Sequence, residues 1–449
     1  MKVPGLSGKG LRARAMRGTA FTMMQIAGAN VLRLASNLIL TRLLFPEAFG
    51  LMALVQTITQ GLKLISDTGV VQSIMRSDHG DDPDFLNTAW SVQICRGALL
   101  WVITILIASP LSSLYDEPML AQLLPVAGIS VFILGFRTTK VATAKRHLAL
   151  GRLTATELGT QFTGILLTVA LAWWLQSVWA LAIGGVITTL LTVLAQHYFL
   201  PGLRNQLKWN KEAFDEIFGF GKFIFLSSSL GFLMNYGDKL ILGGYLGMAD
   251  FGVYNIGYML AMLPFMVSKA VNNSVVFPLY RQRPILESEA NRRKVLGARR
   301  MVIAGSLVMV ICLAFVGVPL IETLYDPRYA MAGPVVVLMC FALVPLTVVE
   351  SYGAVFLAAG DSRGLFILML VGATLQISMV FAGVNLFGTF GVILAPALVS
   401  LLLAPLRVYL LRPHQGWDPQ ADVVLNVLGF GLTGLACWIY WDKIVLLIQ

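Results

Sequence analysis

Arg33 stands among Asn30, Asn37 and Thr41 at steps of three and four, so one face of a helix would carry a guanidinium between amides and a hydroxyl. The same rhythm recurs in Gln56, Gln60, Lys63 and Asp67, and again in Thr154, Glu157, Gln161 and Thr168. It returns in Ser228, Gly231, Asn235 and Asp238, with Lys239 adjacent, while Arg96, Asn255, Lys269, Asn273 and Glu350 stand within other apolar stretches. Ionisable groups in hydrocarbon are costly and face a protein interior or a water-filled cavity. Four continuous polar faces therefore predict a hydrated central cavity. Arg33, Lys63, Arg96, Lys239 and Lys269 outnumber Asp67, Glu157, Asp238 and Glu350, and Arg42 adds to the basic excess. Guanidinium and ammonium groups suit phosphate oxygens. The chemistry expected is binding of an anion, a phosphate or pyrophosphate, by Arg33, Lys63, Lys239, Lys269 and Arg96. Asn30, Asn235 and Gln161 offer neutral polar contacts, and Asn37, Asp67, Glu157, Asp238 and Glu350 complete the lining. A second reading stays open: Lys63 with Asp67, and Asp238 with Lys239, pair among themselves, and Arg96 braces Glu350 across two helices. Arg33 has no acid within a turn of its own helix.

The elements that position these residues are membrane helices. Of 449 residues, 57% are hydrophobic and only 12% charged, against about 25% charged in soluble domains. Apolar runs of 18 or more residues recur, each long enough to cross roughly 30 Å of hydrocarbon as a helix. The expected spans are 19–44, 50–74, 86–108, 119–141, 154–175, 178–199, 220–246, 252–277, 300–322, 331–358, 363–387 and 389–410, with a thirteenth at 422–441. With the N-terminus inside, 25 Lys and Arg fall on the inner side and only Arg328 and Lys443 outside, the bias of cytoplasmic loops. The net charge of +10 thus reflects topology, and no nucleic-acid partner is expected. The basic N-terminus lacks a cleavage site and reads as retained rather than as a cleaved signal peptide. Prolines inside spans (Pro125, Pro264, Pro345, Pro396 and Pro405) remove backbone donors and are candidate kinks.

Two segments repeat. Leu43 to Leu51 aligns with Tyr245 to Val253, each ending a tight turn in Phe-Gly, and Pro110 to Asp116 resembles Pro319 to Asp326. The chain therefore reads as an all-α polytopic membrane protein of two six-helix bundles in parallel pseudo-repeat. Residues 1–200 form the first bundle, 201–222 a basic cytoplasmic linker, 223–412 the second bundle, and 413–449 an extra C-terminal transmembrane segment. Parallel repeats of this kind place a transport site between halves.

Other chemistries lack their residues. The four cysteines lie in apolar runs without ligand spacing, and the histidines (His79, His147, His197 and His414) are far apart. Asp81, Asp82 and Asp84 crowd one short loop and read as a solvated turn rather than a metal cluster. No Gly-x-x-x-x-Gly-Lys-Ser/Thr run occurs, and the short outer loops offer no acid/base set for a glycan polymerase or ligase. Neither enzyme activity nor a cofactor or metal is expected.

The stretch Leu40 to Gly50 (Leu-x-Arg-Leu-Leu-x-Pro-Glu-x-Phe-Gly) and the run Asp238 to Gly247 resemble the polysaccharide-transporter branch of the multidrug/oligosaccharidyl-lipid/polysaccharide (MOP) superfamily, which contains Wzx-type flippases. Gly244 replaces a basic residue usual there, so no contact from that position is expected. The resemblance implies two bundles in a V that alternate between inward-open and outward-open states in the bacterial inner membrane. It implies a polyprenyl-pyrophosphate-linked oligosaccharide carried to the periplasmic leaflet, with membrane lipid and polysaccharide polymerase or assembly proteins as partners. A drug/cation antiporter of the same superfamily is the rival within transport, and should show an acid-dominated cavity. Arg33→Ala and Lys269→Ala are each expected to abolish transport at normal expression; wild-type activity in both removes these residues from the site.

Overall fold

Prolines open several of the helices: α2 (Pro46–Ile65) follows α1 (Leu11–Leu43), and α4 (Pro83–Leu114) follows the short α3 (Val70–Arg76). Proline at the first helical position lacks only an N–H that would be unbonded anyway. The computed structural model describes the backbone of residues 11–447, and within it all side chains except those of residues 11–16, 19, 220, 222 and 223. The expected inner-side basic residues Lys2 and Lys9, and the side chains of Arg12, Arg14 and Lys222, lie outside the described residues. Ten helical stretches among the described residues are long and apolar enough to cross a membrane, and eleven if the bent α9 (Lys211–Tyr245) is included. The chain is a multi-pass membrane protein. The difference from thirteen has two causes. The polar stripe on α1 keeps it out of that set, and α15 (Ser362–Leu402) fuses two expected spans. Gly388 interrupts α15 with φ 58 and ψ −141, a conformation only glycine adopts freely, so the break falls between the two expected spans.

The chain divides into two compact units, Met1–Phe232 and Leu233–Gln449, with the boundary inside α9. In the first unit α5 (Pro118–Gly135) packs along α4, and α6 (Lys140–Arg146) leads into the hairpin of α7 (Leu150–Leu175) and α8 (Trp179–Phe199). The hairpin closes through reciprocal small residues. A Cβ on Gly164 would lie 2.2 Å from Thr188 Oγ1, and one on Gly184 would lie 2.3 Å from Thr168 Oγ1. Each threonine hydroxyl donates to its own helix, Thr168 to Gly164 O at 2.8 Å and Thr188 to Gly184 O at 2.7 Å. Small residues let membrane helices approach backbone to backbone. The stretch before α9 is tied to this unit: the backbone N–H groups of Gln206, Lys208 and Asn210 donate to Asn87, Ser91 and Thr88 of α4.

Two expected spans of this unit prove broken. The 50–74 run stops at Ser66, and Gly69 (φ 62) starts α3 in a left-handed conformation; the 119–141 run stops at Phe136 before α6. Each break falls on a short polar run, Ser66-Asp67-Thr68-Gly69 and Arg137-Thr138-Thr139-Lys140, inside a stretch expected to be one continuous span. The aspartates of the α3–α4 loop have separate duties. Asp82 caps α4 through the Asp84 N–H, Asp84 lies 3.5 Å from Lys208, and Asp81 holds Arg146 and His147. The hydrogen bond from His147 keeps the Asp81 carboxyl below its ordinary range.

In the second unit α10 (Met248–Val271) passes through a π-helical segment, Asn272–Val276, into α11 (Phe277–Gln282). Then come α12 (Glu289–Leu324), α13 (Ala332–Val349), α14 (Tyr352–Ala359), α15, α16 (Ala404–Leu411) and α17 (Pro419–Ile439). The repeated segments occupy matching positions. α1 ends two residues before α2 as α9 does before α10, and Tyr115 and Tyr325 follow the ends of α4 and α12. The fourth span is broken in both units, between α5 and α6 and between α13 and α14. Pro405 opens α16 rather than kinking a helix.

The thirteenth span, α17, is fastened at both ends to α12. At one end Arg300 grips Asp418 at 2.6 and 3.1 Å, and Arg299 meets Asp422 at 2.7 Å. At the other, Tyr440 donates to Phe315 O at 2.9 Å and Lys443 pairs with Glu322. Arg299 is fully buried; it also donates to Ser351 Oγ and Val348 O at the α13–α14 break and lies 4.1 Å from the Tyr352 ring centroid. Removing one partner of a buried pair strands the other charge, at about 3–5 kcal/mol. Asp422→Ala should therefore lower the unfolding temperature in detergent well below that of Asp418→Ala, whose partner Arg300 is exposed; equal shifts would show that Arg299 does not depend on Asp422.

Candidate functional site

The two breaks in the first unit expose helix ends next to Arg96 of α4. Its Nε donates to Ser66 Oγ at 3.1 Å, its NH2 to the Lys63 carbonyl, and its NH1 lies 3.9 Å from Asp67. One guanidinium thus caps the last turn of α2, whose carbonyls have no intrahelical donors. Asp67 accepts from the Gly69 N–H at 3.0 Å and so closes the turn into α3. Among the described residues Lys63 forms no ion pair, so the expected Lys63–Asp67 pairing is corrected: Asp67 is drawn to the turn and to Arg96, leaving the ammonium unmatched.

These residues line a cavity of about 380 Å³. Its charged lining is Lys63, Arg96, Arg137 and Lys145 with Asp67 as the one carboxylate among the described lining, and Gln72 and Gln93 add amides. Gly97 and Gly135 form its floor, where a Cβ on Gly135 would come 2.8 Å from Gln93 O. Arg137, two residues past the end of α5, lines the same cavity as Lys63 and Asp67 of the α2 break. Arg137 is gripped by α7 and α8. Its Nε donates to Gln196 Oε1 at 3.0 Å and its NH2 to Glu157 Oε1 at 2.8 Å. Gln196 Nε2 donates to the same Glu157 oxygen at 3.4 Å, and Gln25 of α1 donates to the other.

Several expected site residues have other roles. Gln161 donates to Ala29 O at 3.0 Å, clasping α7 to α1, and Asn30 donates to Ile26 O at 2.9 Å in its own helix. Each amide thus spends one of its two N–H groups within the fold. Neither they nor Arg33, Asn37 and Glu157 belong to the described cavity lining. Arg33 is exposed and makes no hydrogen bond or ion pair among the described residues; Asn37 is half-buried, and its carbonyl accepts from Thr41 at 2.8 Å.

In the second unit the adjacent Asp238 and Lys239 address different partners. Asp238 is buried and accepts from Tyr254 OH at 3.2 Å. The Lys239 ammonium lies 4.1 Å from the Tyr258 ring centroid, a cation–π contact. Asn235 and Lys269 are exposed, and Lys269 lies within electrostatic reach of the half-buried Glu350. The acid that meets Arg96 is Asp67, from its own unit, and the cation that reaches Glu350 is Lys269.

Arg137, Lys145, Gln25 and Gln196 were not legible as site residues. Both cations read as loop charges because they follow an apolar run, and only the Gly135-Phe136 pair before Arg137 marked a possible break. Gln25 lies on α1 five residues before Asn30, off the stripe that Asn30 begins, and Gln196 is a lone amide near the end of its helix.

Comparison with known proteins agrees with this architecture. Residues 39–334 match the family model described as polysaccharide biosynthesis protein. The succinoglycan biosynthesis transport protein ExoT of Rhizobium meliloti is 20% identical over 266 residues, 59% of this chain and 53% of that protein. The lipopolysaccharide biosynthesis protein WzxC of Escherichia coli is 20% identical over 271 residues, 60% of this chain and 55% of that protein. The match thus spans about half the length of these curated relatives. Among solved structures, lipid II flippase MurJ in its inward closed conformation superposes with a TM-score of 0.73 at 12% identity, covering 95% of this chain and 99% of that one. A multidrug resistance MATE family transporter of the MOP superfamily, inward-facing, gives 0.64 at 16% identity, covering 94% and 98%. Repeat, fold and family model converge: the chain belongs to the polysaccharide biosynthesis protein family, and it shares its fold with these two solved transporters.

Proposed function

We propose that the protein is a flippase that carries polyprenyl-pyrophosphate-linked oligosaccharide from the cytoplasmic to the periplasmic leaflet of a bacterial inner membrane, for surface polysaccharide assembly. The observation that carries this reading is the cavity in which Lys63, Arg96, Arg137 and Lys145 face the single carboxylate of Asp67. Family membership supports it. An acid-dominated pocket would suit a cationic drug; this one suits phosphate oxygens.

The physical task fits such a site. Moving one hydroxyl from water to hydrocarbon costs about 4–8 kcal/mol, so an unaided oligosaccharide meets a barrier of tens of kcal/mol. A polar passage removes most of it while the lipid tail stays in the bilayer. An inside-negative potential assists export of an anion by roughly 2.3 kcal/mol per charge per 100 mV. In this reading Lys63 and Lys145, neither of them in an ion pair among the described residues, hold the anionic head group, while Arg96 mainly maintains the α2 break. Arg33, Lys239 and Lys269 remain proposed contacts along the route, with Asn235 as a sugar contact and Asp238 and Glu350 as lining. The distribution of basic residues supports a cytoplasmic N-terminus.

The test is flipping of a polyprenyl-pyrophosphate-linked oligosaccharide in proteoliposomes. The double substitution Lys63→Gln with Lys145→Gln should slow it by about tenfold or more, the worth of one or two charge-assisted hydrogen bonds, at unchanged yield. A wild-type rate in the double variant overturns the role of the pocket. In cells, deletion should accumulate complete repeat units on the cytoplasmic leaflet, whereas single units displayed outside would indicate a polymerase instead.

A further inference from the structure

The grip on Arg137 is unlike the other contacts of the cavity. Lys63 and Lys145 line it with no acid bonded to them, whereas Arg137 has a carboxylate bonded directly to its guanidinium. That carboxylate, Glu157, is not part of the cavity's described lining, yet it lies within electrostatic reach of Lys145 as well. It and Gln196 together occupy Arg137 Nε and NH2. Among the described residues NH1 has no partner, so one nitrogen of the fork remains for a ligand.

A guanidinium held this way binds an anion less strongly than a free one, because its charge is already compensated and its bidentate edge is taken. We infer that Glu157 is a built-in competitor of the ligand: it positions Arg137 toward the cavity, but its charge keeps the cavity's hold on a phosphate or pyrophosphate group weak enough for release. This rests on the proposed flippase reading. A carrier must let its cargo go, and a pocket of four cations with one lining carboxylate would otherwise retain a multiply charged group. Gln25 and Gln196 fit the same role. Both donate to the carboxylate and hold it from swinging into the cavity as a ligand of Lys63 or Lys145.

The inference reverses the usual expectation for a polar residue near a binding site. Glu157→Gln keeps the shape and an oxygen that can accept from Arg137, and removes the charge; its amide nitrogen then faces Gln25, whose own amide can turn to accept from it. Inorganic pyrophosphate binding to the purified full-length protein, measured by calorimetry at fixed ionic strength, should tighten by about tenfold, the factor given by ~1.4 kcal/mol. In proteoliposomes the same variant should show a lower KM for the lipid-linked oligosaccharide together with a lower maximal rate. A merely structural role would leave pyrophosphate affinity unchanged or weaken it, and either result overturns the inference. Glu157→Asp, which retains the charge, should stay close to wild type in pyrophosphate affinity; tightening in that variant as well would assign the effect to geometry and overturn it too. The calorimetric arm separates two failures. Pyrophosphate binding that is lost in Lys63→Gln but not tightened in Glu157→Gln sinks the competitor and leaves the pocket standing. Binding unaffected by Lys63→Gln and Glu157→Gln alike removes the pocket, and the flippase reading's support with it.

Discussion

An interrupted helix inside a membrane leaves carbonyl groups that neither water nor lipid can satisfy. This chain answers that constraint repeatedly with arginine. Arg96 reaches the end of α2 at Lys63 and Ser66, Arg146 donates to Ile74 O at 2.8 Å and Ser77 O at 2.6 Å at the end of α3, and Arg299 donates to Val348 O and Ser351 at the end of α13. In each case the guanidinium comes from a different helix, so capping a break also ties two spans together. The planar fork can serve a carbonyl, a hydroxyl and a carboxylate at once, which a lysine cannot. The breaks that shape the cavity exist because these donors are present.

The cations of this protein consequently fall into two kinds. Arg96, Arg146 and Arg299 are spent on backbone and on acids of their own unit. Lys63 and Lys145 are presented to space. Arg137 belongs partly to each kind. Lys239 is set apart again, its ammonium lying over the Tyr258 ring. A net count of charges in the spans predicts a basic interior, but the distribution of partners decides which charges remain for a ligand.

That distinction marks the limit of what the sequence discloses. The spans were legible because hydropathy over 20 residues is a strong signal, and the parallel repeat was legible because its turns are short and end in Phe-Gly. Even the separation at Gly388 lay between two spans read from composition alone. The breaks were overlooked. Gly69 closes the polar run Ser66-Asp67-Thr68-Gly69, a turn signal set inside an otherwise apolar stretch. Drawing the fourth span through to residue 141 hid the stop at Phe136, and counting Arg137 with the inner-side cations hid its place in the cavity lining. The polar stripe on α1 misled in the opposite way. Its period is real, but Asn30 bonds within its own helix, and the α7 stripe meets it through Gln25 and Ala29 rather than facing water.

The interlocked threonines and glycines of α7 and α8 have a mechanical corollary. Glu157 lies about two turns from Gly164, and Gln196 about two turns from Thr188, so both ligands of Arg137 project from one welded hairpin. Sliding of α7 against α8 would drive Thr188 into Gly164, where there is no room even for a methyl group. The backbones that carry the two acceptors therefore move as one body. Arg137 stands on a different segment, the α5–α6 break, so any shift of that break against the hairpin moves the guanidinium relative to its two acceptors together.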